Sequence, residues 1–193
     1  MEKTDKTRII SAFEQLQAWA RMDGGVVALL WTLSFACLVG FFHEASSLYG
    51  IGWFALGAFS LAYAASRLRH YRDEVVGGKI SFSRAYGFGI MTYLYAALLF
   101  AVAQFVYFQY IDQGFLVSQY TMQASSPQMQ EMMRLYGLTE QDLKFVLENI
   151  ASLRPIDIAL QFFSTNLMMA VFVSLPVALL MRRDIPLTPQ KEG

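Results

Sequence analysis

Long apolar stretches alternate with short polar ones along this chain, and four of them have the length of a membrane crossing. They cover about residues 24–43, 49–68, 86–111 and 156–181. About 20 apolar residues in a helix cross the ~30 Å hydrocarbon layer of a bilayer. The first stretch carries no charge from Gly24 to Phe42, and the second is bracketed by Tyr49 and Trp53 at one interface and by Arg67 and Arg69 at the other. The third is long enough to tilt. The fourth is the most polar, with Asp157, Gln161, Ser164, Thr165, Asn166 and Ser174, and Pro176 within it removes one backbone hydrogen bond. Small residues four apart predict faces on which another helix packs closely: Ala58, Ala62 and Ser66 in the second stretch, Ala85–Gly89 and Ala97–Ala101 in the third.

The intervening segments have their own periodicities. In residues 1–23, Ile9, Phe13, Leu16 and Ala20 recur at helical spacing among charges, with Trp19 at headgroup level, which predicts an amphipathic helix lying on the membrane surface. Glu2, Asp5 and Glu14, and the absence of small residues at Phe41-Phe42-His43-Glu44, read against a cleavable signal peptide. Between spans three and four, Ser126-Pro127 reads as an N-cap with proline at the first helical position. Met129, Met132, Met133 and Tyr136 then form one face, and Gly137 ends that helix. Thr139 to Asp142 resembles a capping box, followed by the stripe Leu143, Val146, Leu147, Ile150 and Leu153. The expectation is an all-α polytopic membrane protein: a four-transmembrane-helix bundle, an N-terminal amphipathic helix and an extracytoplasmic helical hairpin in segment 112–155. It forms a single membrane domain over 1–185 with a flexible tail, 186–193.

Composition agrees: 55% of the 193 residues are hydrophobic and 16% charged, against about a quarter charged in soluble domains. Net charge is zero, so no basic excess points to nucleic acid. The positions of the charges carry more information. Twelve Lys and Arg fall in segments 1–23, 67–84 and 182–191, against three (Arg134, Lys144, Arg154) in 112–155. Because basic loops resist export, both termini and the Gly77-Gly78 loop are expected in the cytoplasm, in a cell inner membrane. Cys37 stands alone, which excludes an internal disulfide and any multi-cysteine motif.

The densest motif lies in the loop between spans two and three: Tyr71-Arg72-Asp73, Gly77-Gly78, Ile80-Ser81-Phe82 and Gly87-Phe88-Gly89. Together with Tyr110-Ile111-Asp112, the Met/Glu-rich segment and the closing Arg182-Arg183, it resembles an uncharacterised bacterial membrane family, domain of unknown function 4199, over about residues 25–185. Lys79 and a less acidic outer segment depart from that pattern. The resemblance implies four membrane helices and no known activity.

No nucleophile motif, nucleotide fingerprint or metal-ligand spacing is present, so neither an enzyme nor a cofactor is expected. The only set with ligand chemistry is His43, Glu44, Asp112 and Asp157 at the outer rim, and ionisable groups at span ends are usually solvated there. The leading expectation is a non-catalytic membrane or interaction protein with a partner on the outer hairpin or the inner basic surface. The alternative is a small transporter or channel subunit acting as a homo-oligomer. Two residue sets are singled out. Gln104, Gln161, Ser164, Thr165 and Asn166 are candidate interhelical polar contacts, with Gln104 expected to bond Gln161, Ser164 or Thr165. Arg67, Arg69, Arg72, Lys79 and Arg84 are candidate contacts to anionic lipid of the bilayer.

Overall fold

The computed structural model describes residues 2–137 and 139–183, and the side chains of all of these except 2–11, 120, 140 and 151. The expected flexible tail lies outside the described residues. Among the described residues seven α-helices follow in order: α1 (Glu2–Glu44), α2 (Ser47–His70), α3 (Phe82–Tyr110), α4 (Phe115–Ala124), α5 (Pro127–Leu135), α6 (Glu140–Ala151) and α7 (Pro155–Met181). Among the described residues, α1, α2, α3 and α7 are long and apolar enough to cross a membrane. α1 and α3 pack on one another at the centre; α2 lies against α1, α7 lies against α3, and α2 and α7 scarcely meet.

The N-terminal segment corrects the sequence expectation. Instead of a separate helix lying flat, one unbroken helix of 43 residues runs from Glu2 to Glu44. At 1.5 Å per residue it is about 65 Å long, twice the hydrocarbon thickness. Leu16 and Ala20 are buried against Leu68, Tyr71, Ile80, Phe88 and Ala178. Leu16 and Ala20 of the apolar stripe therefore pack on the ends of the other spans, while Phe13 stays exposed. Gly24 and Gly25 at the junction do not break the helix, because Gly24 packs directly on the backbone of α3 at Thr92.

A second correction concerns α2. Its packed face is Ser60, Ala64 and Leu68, whereas Ala58, Ala62 and Ser66 are exposed and face away from the bundle. Both sets repeat every four residues, and only the side chains of α1 decide between them: Trp31 Nε1 donates to Ser60 Oγ at 3.0 Å. In α3 the small faces do meet helices. Ala85 and Ala97 are buried, and Gly89 lies against Ser174 of α7.

The two ends of the bundle differ. At the loop end, α2 passes through one π-helical turn, Tyr71–Val75, into Gly77 and Gly78 at φ +80° and +83°. That left-handed region costs glycine little. Ser81 caps α3 by accepting from the Arg84 N–H. At the opposite, cap end, the expected two-helix hairpin is a group of three. α4 touches both α5 and α6, starting where Asp112 accepts the Gly114 and Leu116 N–H groups at 3.1 Å each. Met133 is buried and Met129 partly so, while Met132 and Tyr136 are exposed. The capping box of α6 is present in both directions between Thr139 and Asp142. Those bonds hold the Asp142 carboxyl below the ordinary carboxylate range.

Candidate functional site

α1, α3 and α7 each place a stripe of side chains four apart toward the cap half of the bundle. Trp31 and Phe35 on α1, Phe100 and Gln104 on α3, and Phe162 and Asn166 on α7 follow the i, i+4 spacing that puts residues on one helix face. With Trp53 of α2 they enclose a cleft of about 570 Å³, within the range of small-molecule sites. Its aromatic wall is preorganised. The Trp31 ring stacks on Tyr93 at 5.9 Å and meets the Phe100 edge at 5.8 Å, with its N–H held by Ser60. Phe35 packs edge-on against Phe100 at 6.0 Å and Tyr107 at 5.1 Å. A second apolar cavity of about 290 Å³ lies beyond Phe35 and Phe162, reaching Leu116 of α4 and Ile150 of α6.

The polar inventory of the cleft is short: Ser34, Gln104, Asn166 and, exposed at its mouth on α4, Gln123; no Asp, Glu, Lys, Arg or His lines it. Ser34 already donates to the Trp53 carbonyl at 2.9 Å. Gln104 is 1% exposed, and neither Oε1 nor Nε2 has a hydrogen-bond partner; Nδ2 of Asn166 is likewise buried and unpaired. The expected bond from Gln104 to Gln161, Ser164 or Thr165 is therefore absent. All three of those residues are exposed, and the Ser164 hydroxyl turns back on the Leu160 carbonyl of its own helix at 2.9 Å. A buried amide without partners costs on the order of 1–3 kcal/mol, so a fold that keeps one has a feature its packing alone does not explain.

The loop end holds a different kind of site. Asp23 of α1 is 2% exposed and accepts from Arg67 Nε at 2.7 Å, with the Tyr63 hydroxyl at 3.5 Å. Arg67 also lies over the Trp19 ring at 5.4 Å. Arg72 is buried. It donates twice to its neighbour Asp73, at 2.7 and 2.9 Å, and once to the Met181 carbonyl at the end of α7, at 3.2 Å. The Arg183 N–H then bonds the Ile80 carbonyl at 3.0 Å. Tyr71, fully buried, stacks on Phe88 at 4.8 Å and accepts from Arg84 Nη2 at 2.8 Å. Every part of the Tyr71-Arg72-Asp73, Gly77-Gly78 and Ile80-Ser81 motif thus joins helix ends, and Arg72 caps a carbonyl that a helix C-terminus leaves free.

This arrangement divides the five cations read as lipid contacts. Arg67, Arg72 and Arg84 are held by Asp23, by Asp73 with Met181, and by Tyr71; Arg69 and Lys79 are exposed. Replacing Arg72 with methionine is expected to cost about 2–3 kcal/mol, since charged hydrogen bonds are lost at both partners. Lys79→Met is expected to stay within about 0.5 kcal/mol. Thermal unfolding of both variants in detergent checks this, and equal stabilities would show that the lock contributes nothing.

The rim residues are not gathered. His43 stacks on Phe115 at 3.8 Å, Asp112 caps α4, and Asp157 accepts from Arg154 at the start of α7. Among the described residues, no group of three or more His, Cys, Asp or Glu could hold a metal ion.

Fold and cleft together define a class: a polytopic helical membrane protein, its spans locked at one end and parted at the other around uncharged residues. The particular family follows from comparison. The family model described as "Protein of unknown function (DUF4199)" matches residues 23–183, and the chain belongs to that family. No curated protein and no solved structure matches it.

Proposed function

We propose that the protein is a non-catalytic binding protein of the inner membrane, with both termini and the Gly77 loop in the cytoplasm. The cleft between α1, α2, α3 and α7 is its working site. The observation that carries this reading is the unpaired, buried Gln104 amide on an aromatic cleft wall. Apolar surroundings with a few placed polar groups are what a ligand pocket offers, and no ionisable side chain lines the cleft to act as a general acid or base or to activate the Ser34 hydroxyl, which is held by the Trp53 carbonyl. Its partners are the bilayer, with Arg69 and Lys79 at the inner headgroups, and the molecule that occupies the cleft. The protein purified in mild detergent is expected to carry an organic molecule in near-stoichiometric amount, seen by mass spectrometry of its solvent extract. An empty extract would remove the main support.

Transport by an oligomer is the second reading, favoured by the same amides within the apolar length of α3 and α7. At the loop end the core of Leu68, Tyr71, Ile80, Phe88 and Ala178 is packed shut, so a path would require that core to open. Solute flux into liposomes above the protein-free level, abolished by Asn166→Leu, would put transport first. The orientation is checked by reporter fusions. Those after Ser47 and Gln128 are expected to report export and one after Gly77 the cytoplasm, and an exported Gly77 fusion would invert the assignment.

A further inference from the structure

Resting on the binding reading above, the three unpaired atoms define what the cleft would take, and we infer that its ligand is an uncharged amphiphile with a hydroxyl head. Gln104 carries one donor and one acceptor, and Asn166 Nδ2 a second donor; all three atoms are closed to water, so a head group meets them when these side chains turn into the cleft they line. A hydroxyl has two acceptor lone pairs and one proton to donate. It therefore matches two N–H groups and one carbonyl oxygen, whichever way the Gln104 amide is assigned. A carbonyl head offers acceptors only and leaves one side of Gln104 unmatched. A charged head finds no counter-ion, because the cleft lining contains no ionisable side chain, and burying an unpaired charge there is prohibitive. The body of the ligand must be apolar, since Trp31, Phe35, Phe100 and Phe162 form the wall. The neighbouring 290 Å³ cavity, separated from the cleft only by such side chains, gives that body room to extend. Water satisfies amides equally well but gains nothing from the aromatic wall.

The chain provides its own probe. Of its three tryptophans, Trp31 and Trp53 line the cleft and Trp19 sits at the loop end beside Arg67. In a Trp19→Phe background in phosphatidylcholine nanodiscs, emission therefore comes from the cleft alone. It would be titrated with a dibrominated long-chain alcohol, its methyl ether and the matching dibromoalkane. The alcohol is expected to quench saturably, at about tenfold lower mole fraction than the alkane, with the ether between them; tenfold corresponds to about 1.4 kcal/mol, the size of one or two buried hydrogen bonds. Gln104→Met, which removes no existing bond, is expected to unfold at no lower temperature than the parent. It should bring the alcohol down to the level of the alkane while leaving the alkane unchanged. Asn166→Leu should reduce the alcohol preference by a few-fold. Equal quenching by alcohol and alkane, or an alcohol preference that survives Gln104→Met, overturns the hydroxyl assignment and leaves a purely apolar binding site. The absence of saturable quenching by any of the three overturns the binding reading as well.

Discussion

Arg67→Met is expected to destabilise the bundle by about 3–5 kcal/mol, the range for removing one partner of a buried ion pair. Asp23 is the reason. Its side chain is 3% exposed, against 26% for Arg67, so the variant strands the less accessible charge. The Tyr63 hydroxyl at 3.5 Å is too distant to replace a guanidinium N–H at 2.7 Å, and Asp23 Oδ2 already lacks a partner. Loss of the Arg67 contact with Trp19 adds to the effect. The double variant Asp23→Leu/Arg67→Met is expected to recover most of the loss, because replacing both charges with apolar groups of similar size is often neutral. Unfolding of the four proteins of this cycle, followed by circular dichroism in detergent, decides the matter. A double variant no more stable than the single one would mean that the pair does not act as a unit.

Two adjacent glycines in α1 should respond with opposite signs. A Cβ on Gly24 would lie 2.7 Å from the Thr92 carbonyl oxygen and 2.8 Å from Tyr95 Cβ. The first of these is backbone and cannot swing aside, so Gly24→Ala must push α1 and α3 apart, at about 1–3 kcal/mol. A Cβ on Gly25 would meet nothing within 4 Å. Gly25→Ala should therefore gain helix propensity, up to about 1 kcal/mol. Melting temperatures should move down for the first and up for the second. If both rise, α1 and α3 are not in the close approach described above.

Features set by neighbours in sequence were legible from the residues. The side-chain caps at Ser126 and Thr139 form at the positions read for them, because each joins atoms three residues apart. Gly77 and Gly78 take positive φ, as a two-glycine turn leads one to expect. The beginning of α4 was not legible, since Asp112 caps it from outside the helix and the N-cap position is Gly114, at φ +83°, which has no capping side chain. The Asp23–Arg67 pair joins residues 44 apart in sequence, and the lock from Arg72 to Met181 spans 109. No local pattern announces either. In α2 the longer stripe of small residues, Ala58, Ala62 and Ser66, faces outward, and the packed face has only the small pair Ser60 and Ala64 before Leu68.

Length and apolarity by themselves determined the four spans, because a helix crossing hydrocarbon must satisfy its own backbone and be about 20 residues long, whatever it packs against. Family membership was likewise readable in the loop motif, whose residues are consecutive. Which face of each span turns inward was decided only by the tertiary structure. A helix that is apolar all round carries no contrast between lipid and protein sides, so the placement of Gln104, Asn166 and the aromatic wall rests on shape. Close approach at Gly24 and Gly89 brings α1, α3 and α7 together, while larger side chains hold the cap half apart. The cleft is the space left between those two packings.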